Sequence, residues 1–228
     1  MAEIQKFSLG ITNFLVEKKA RLILVACNTA SAASLKFLRS KFPWIPFVGM
    51  EPAVKPAVEN TISRIVGVLA TPATFQGALY ASVIERFAKD VTILQDVCPG
   101  LVEQIEKGWL NTPETKNILR LALVPMMNKG IDTVVLGCTH YPFVIPLIQK
   151  IVGPEVHVID PAPAVARQVG RLLSDPLQQA NCKKSSGLGS TEYFTTASTR
   201  DFEALFPVLG ISAGPVKKLN WLEARLIE

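Results

Sequence analysis

The chain is short of the residues that most often announce a site. Two histidines and four cysteines are spread over 228 residues, and Cys27, Cys98, Cys138 and Cys182 form no C-x-x-C pair. That spacing argues against a secreted disulfide scaffold and against a structural zinc centre. No apolar run approaches the ~18 residues that a membrane span needs, and residues 1–6 carry no apolar leader. The expected location is therefore the cytoplasm, away from membranes. Long runs of one charge are missing too. Basic residues outnumber acidic ones 24 to 19, for a net charge of +5, yet they go no further than pairs such as Lys18-Lys19, Lys183-Lys184 and Lys217-Lys218. Without a zinc-finger, helix-turn-helix or RNP-like pattern beside them, they read as a solvated basic surface, and a nucleic-acid partner is not expected.

What the chain does have is apolar content. Hydrophobic residues make up 49% and charged residues 19%, with a mean hydropathy of +0.29. This suits one large domain or two lobes of roughly 100–130 residues each. Apolar positions Ile4, Phe7, Leu9, Ile11, Phe14 and Leu15 predict an amphipathic helix over 4–19. A strand over 22–26 follows, then a helix over about 31–42 that Pro43 and Pro46 end. Further strands are expected over 47–50, 65–70, 91–95, 133–136, 156–159, 192–196 and 216–219. Helices are expected over 52–61, 75–88, 101–108, 115–129, 143–151, 160–173 and 199–209. Residues 178–191, rich in Ser, Gly and Lys, read as a surface loop. The alternation predicts an α/β fold whose mostly parallel sheets are flanked by helices.

Two stretches stand out in that alternation. Val25-Ala26-Cys27-Asn28-Thr29-Ala30-Ser31-Ala32 and Gly137-Cys138-Thr139-His140-Tyr141-Pro142 each follow a short apolar run and open into helical periodicity. A cysteine at the carboxyl end of a strand, just before a helix, stands where open α/β sheets bind ligands. A helix start offers unpaired N–H groups and a positive dipole end, which attract carboxylates and favour thiolates. Two cysteines in such settings read as one site built from two halves.

ACNTASA and GCTHYP, in this order and separation, resemble the paired cysteine motifs of the glutamate racemases, in the aspartate/glutamate racemase superfamily. The resemblance runs from about Gln5 to the C-terminus. It includes the stretch from Gly67 to Thr74, Cys98-Pro99 with Ile105-Glu106-Lys107-Gly108, and Val158-Ile159-Asp160. Aspartate-specific members usually carry an acidic residue where this chain has His140, so the resemblance points to glutamate. It implies cofactor-independent racemisation of L-glutamate to D-glutamate, a supply for peptidoglycan and hence for cell wall and shape. It also implies a small-molecule substrate, no cofactor and no metal, and is compatible with a homodimer. Two pseudo-symmetric lobes are implied, residues 1–50 with 163–228 and residues 51–162, with Cys27 in the first and Cys138 in the second.

The same resemblance distributes roles. Cys27 and Cys138 would serve as the facing acid and base, and His140 would assist Cys138. Asn28, Thr29, Thr71, Thr74, Thr139 and His140 would contact the substrate, and Glu106 would support His140. Plainer readings stand beside these. Thr71 and Thr74 could cap the following helix, and Glu106 could be an exposed helix charge. Cys98 reads as packing, Cys182 as part of a polar loop and His157 as structural. A hydrolase built on Cys138 and His140 is disfavoured, because a thiol and an imidazole two residues apart seldom align as nucleophile and base. The family's opening strand with its Asp-Ser pair, and its Pro-Tyr-Gly element, have no counterpart in residues 1–9. The first lobe is therefore expected to be incomplete at its N-terminus, and two readings stay open: an active racemase, or a racemase-fold protein that binds an acidic amino acid or a partner without turnover.

Overall fold

The computed structural model describes residues 2–174 and 189–228. In chain order the elements are α1 (Ala2–Glu17), β1 (Ile23–Val25), α2 (Asn28–Lys41), β2 (Phe47–Gly49), α3 (Val54–Asn60), β3 (Ile65–Ala70), α4 (Pro72–Phe75) and α5 (Ala78–Phe87). They continue with β4 (Thr92–Asp96), α6 (Leu101–Glu106), α7 (Pro113–Asn128), β5 (Thr133–Gly137), a 3-10 turn (Tyr141–Val144), α8 (Ile145–Val152), β6 (His157–Ile159) and α9 (Ala162–Leu173). After residue 189 come β7 (Tyr193–Thr195), α10 (Thr199–Leu209), β8 (Val216–Lys218), β9 (Asn220–Leu222) and β10 (Arg225–Ile227). Cys182, and most of the loop expected over 178–191, lie outside the described residues.

Packing divides the chain into two compact units. One contains Met1–Leu24, Ser34–Val48 and Ala166–Glu228; the other contains Val25–Ala33 and Gly49–Val165. The segment with Cys27, expected in the first lobe, packs with the second unit. Its physical tie is Ser31, whose hydroxyl donates to the Val25 carbonyl at 3.0 Å and accepts from the Met50 N–H at 2.9 Å.

The second unit is built on a four-stranded parallel sheet in the order β4-β3-β5-β6. Val66, Val68, Leu69, Ala70, Val134, Val135 and Leu136 on its two central strands are all fully buried. Side chains alternate across a strand, so the two faces sort into two cores. Leu69, Val134 and Leu136 pack on one side with residues of α6, α7 and α8, among them Leu101, Leu119, Leu123 and Ile148. Val66, Val68, Ala70 and Val135 pack on the other side with Val54 and Ala57 of α3 and Tyr80 and Val83 of α5. Near-continuous apolar strands are what a sheet covered on both faces requires. Each fully buried aliphatic side chain contributes about 1.5–3 kcal/mol at the upper bound of area bookkeeping.

In the other unit, α1 lies on the antiparallel hairpin of β9 and β10, with Phe14, Leu219 and Leu226 buried together. Gly10 makes the approach possible: a Cβ there would sit 2.5 Å from the Ala224 carbonyl and 2.6 Å from the Trp221 ring. The sequence reading ends in a single strand over 216–219. Here that segment is β8, parallel to β7, and the hairpin follows it. Three-residue strands carry too little period-2 signal to be seen from alternation alone. β1 and β2 form a further pair.

The loop that enters β3 is fastened by one carboxylate. Asp132 accepts from the Thr61 hydroxyl at 2.6 Å, the Ile62 and Ser63 N–H groups at 2.6 and 2.7 Å, and the Thr133 hydroxyl at 3.0 Å. Desolvation pushes this carboxyl up, but the hydrogen bonds win and hold it down at about 2, against an ordinary 3.8. A depressed folded value contributes stability that is complete above the unfolded value and is lost as pH falls through the folded one. Asp132→Ala should therefore cost about 1–2 kcal/mol at pH 7, after allowance for solvent screening. In urea titrations the gap from the parent should close as pH drops from about 4 toward 2; a gap independent of pH would count against this role.

Candidate active site

Strand order locates the site before any side chain is considered. From β3 the chain crosses to β4 on one side and then returns to β5 on the other, so the order reverses between β3 and β5. In open parallel sheets the crevice outside the carboxyl ends at such a point is the usual ligand site. Ala70 pairs with Gly137 in the register, so the next residues, Thr71 and Cys138, leave the sheet side by side. Gly137 permits this. A Cβ on it would lie 2.8 Å from the Ala70 Cβ and 3.2 Å from the Leu69 carbonyl.

Cys27 is exposed and immediately precedes α2, at the helix cap. The Ala30 N–H donates to its Sγ at 3.4 Å, and the Ser31 N–H closes the first turn onto the Cys27 carbonyl at 2.8 Å. The helix begins three residues earlier than the apolar periodicity predicts. Asn28, Thr29 and Ala30 are polar or small and carry no apolar periodicity, so that pattern by itself does not reach this end.

Asn28 is 3% exposed, yet neither its amide nitrogen nor its amide oxygen has a hydrogen-bond partner. A buried amide in that condition costs roughly 1–3 kcal/mol and marks a place where a polar ligand can repay it. Beside it the Thr29 hydroxyl lies 3.2 Å from that of Thr71 and 3.3 Å from that of Thr74, and the last two are 3.1 Å apart. Thr71 occupies the cap position of α4 but makes no cap bond with its side chain. Its oxygen faces the other two hydroxyls instead, so of the two readings open for these threonines, helix capping is not the one the structure adopts for Thr71.

Cys138 is buried. Its Sγ lies 3.7 Å from His140 Nδ1, and His140 Nε2 lies 3.1 Å from the Glu106 carboxylate. Burial is the strongest influence on the Cys138 thiol and pushes it up. The backbone N–H groups of His140 and Tyr141 pull it down, while negative charge on Cys27 and on Glu106 raises it again. Like charges that sense one another resist double ionisation.

Cys27, Asn28, Thr29, Thr71, Thr74, Glu106, Cys138, Thr139 and His140 all fall in one packing unit. Cys98 stands in the core beneath, 2% exposed, and His157 is an exposed residue of β6. A separate cavity of about 270 Å³ between β4 and α7, lined by residues such as Leu94, Leu121, Pro125 and Met126, holds no thiol, imidazole or hydroxyl cluster. Among the described residues no three His, Cys, Asp or Glu side chains gather closely enough to hold a metal ion, and no helix is long and apolar enough to cross a membrane. Sequence reasoning missed Gly137 as a determinant of the site. The available signal was a glycine directly before a motif cysteine at a strand end.

The Asp/Glu/hydantoin racemase family matches residues 2–169. The chain belongs to that family. It is 46% identical over 201 residues to a glutamate racemase of Roseiflexus sp. (strain RS-1), covering 88% of this chain and 72% of that one. It is 45% identical over 210 residues to a glutamate racemase of Pseudomonas aeruginosa PAO1, covering 92% and 77%. Its structure is similar to that of Escherichia coli glutamate racemase in complex with L-glutamate and the activator UDP-MurNAc-Ala. The TM-score there is 0.78, at 32% identity, over 92% of this chain and 77% of that one.

The steric argument at Gly137 is directly testable. Gly137→Ala must drive β3 and β5 apart and should cost about 1–3 kcal/mol, as overpacking does. Gly170→Ala, in α9 with nothing within 4 Å of the added carbon, should instead stabilise by up to about 1 kcal/mol through helix propensity. Denaturant midpoints of the two variants would decide, and equal effects would overturn the close-approach reading.

Proposed function

We propose that this chain racemises glutamate without a cofactor, passing protons at the α-carbon through Cys27 and Cys138, and so supplies D-glutamate for peptidoglycan from the cytoplasm. The observation that carries the reading is the buried Cys138 thiol, raised further by negative charge on Cys27, set beside a buried amide without a hydrogen-bond partner and a triangle of threonine hydroxyls.

The chemistry follows from stereochemistry. Inverting the α-carbon requires a proton to leave one face and another to arrive on the opposite face. A single base held in one place cannot reach both. With one thiol as thiolate and the other protonated, the thiolate takes the α-proton and the thiol delivers its own to the far side, leaving the pair with its charges exchanged. The reverse reaction starts from that exchanged state. In this scheme the Ala30 N–H stabilises anionic Cys27. His140, backed by Glu106, holds or accepts the proton of Cys138. The α-proton is weakly acidic, so the transient carbanion needs fixed dipoles around its carboxylates. Asn28, Thr29, Thr71, Thr74 and Thr139, with the N–H groups of the helix starts, provide those donors. A homodimer is compatible with the family and is part of the proposal only as an assembly to be measured.

The first test follows L- and D-glutamate in D2O with the parent chain, Cys27→Ala and Cys138→Ala. The parent should exchange the α-proton and invert, and each variant should lose about 10³-fold or more of the racemisation rate, the scale of losing a positioned acid or base. Full activity in either variant would defeat the two-thiol scheme. Glutamate binding with no exchange in the parent would instead favour a binding protein on this fold. The rate should also be bell-shaped in pH, because the doubly protonated and doubly ionised pairs both lack one partner. Burial raises the Cys138 thiol, so the alkaline limb should lie above the ordinary cysteine range; a limb below it would contradict the assigned charge state.

A further inference from the structure

Tyr141 is the largest fully buried side chain of the protein as described, and no role in the scheme above uses it. Its ring stands in the core with Cys98, Leu101, Ile105 and Cys138. Its hydroxyl donates to the Val97 carbonyl at 3.3 Å, and its N–H donates to the Cys138 carbonyl at 3.2 Å. It thus joins two turns through residues 44 apart in sequence: the one after β5 that carries Cys138 and His140, and the one after β4 that starts α6.

That second turn matters because α6 is only six residues long and ends on Glu106. A short helix is aimed by its first turn. Here Cys98 is held at φ 45, with its N–H bound to the Asp96 carboxylate at 2.7 Å, and Gly100 follows at φ 82. Left-handed backbone at a non-glycine residue persists only where its surroundings hold it. Tyr141 supplies part of that hold from the interior and Asp96 supplies part from the loop side. Leu101 and Ile105 bury the inner face of α6, which leaves Glu106 exposed at its end, against His140.

We infer that Tyr141 is a positioning residue for the proposed reaction: by tying the Val97 carbonyl to the 3-10 turn, it sets α6 so that Glu106 meets His140 Nε2. With Nε2 donating to Glu106, Nδ1 is left facing the Cys138 thiol, the tautomer in which the imidazole can take that thiol's proton. The inference rests on the racemase reading for its effect on rate, and on geometry alone for its effect on His140.

Tyr141→Phe keeps the ring and removes the hydroxyl. It should lower kcat for glutamate about three- to tenfold, the size of one lost hydrogen bond, with KM unchanged. Combined with Glu106→Gln it should be no slower than Glu106→Gln alone, because both act on one contact. The chain has two histidines, so imidazole 1H–15N correlation spectra resolve each. The Nε2–H form of His140 should lose population in Tyr141→Phe as in Glu106→Gln, while His157 stays as it was. Asp96→Ala, which frees the same turn without touching the core, should give the same change and keeps the test open if the core variant folds poorly. Losses that multiply in the double variant, or a native His140 spectrum in both Tyr141→Phe and Asp96→Ala, would overturn the inference. A parent chain that fails to exchange glutamate would defeat the proposed function, and the spectra would still decide the positioning role.

Discussion

The contact on which the rest of the second unit depends is the approach of β3 to β5 at Ala70 and Gly137. It is the seam where the strand order reverses and where both central strands stop. Because no side chain stands on Gly137, the backbones close up and the two segments that leave them emerge together. Thr71 on one and Cys138 on the other inherit their proximity from that seam. Behind it Val66, Val68, Leu69, Val134, Val135 and Leu136 are apolar and fully buried, which keeps the seam from shifting, since close-packed interiors do not deform continuously.

Polar groups are rationed accordingly. Away from the seam, several buried polar side chains are answered locally: Thr115 within the α6–α7 junction, Ser31 by Val25 and Met50, Tyr141 by Val97. At the seam they are not. Asn28 keeps both amide atoms unpaired, and three threonine hydroxyls have only one another. The Ser34 hydroxyl inside α2 is likewise buried without a partner, but at Asn28 and the three threonines the open groups gather in one place, which suits a polar guest. The thiols follow the same logic of unfinished pairing. Cys138 is desolvated, and charge on Cys27 works against charge on Cys138.

The two cysteines differ in how they are held. Cys27 rests on the opening turn of a 14-residue helix and receives one N–H. Cys138 stands on a turn whose imidazole partner leans on an exposed carboxylate from another element. That asymmetry gives each thiol a different set of partners. It also makes the Cys138 side depend on the aim of α6, a short helix with a strained entry at Cys98.

Much of this was legible without coordinates. Alternating strand and helix signals, the apolar run 65–70 and the strand before Cys138 follow from local periodicity, and β3 and α10 occur where that periodicity places them. The two motifs named the family because residue order within a strand-end turn is itself sequence. The hairpin Asn220–Ile227 escaped, since three-residue strands are specified by the helix they lie against rather than by their own pattern. So did the packing of Val25–Ala33 with the second unit, which turns on a hydroxyl bridging to Met50.

What the sequence determined alone was therefore the kind of element at each position and the chemistry each motif could offer. What only the tertiary structure decided was which of those chemistries meet. Thr29 and Thr74 are 45 residues apart, and Glu106 and His140 are 34 apart. Their contacts depend on a missing Cβ at Gly137 and on a turn held by Tyr141 and Asp96. Such distances are set by how surfaces pack, and packing is a property of the whole core rather than of any stretch of chain.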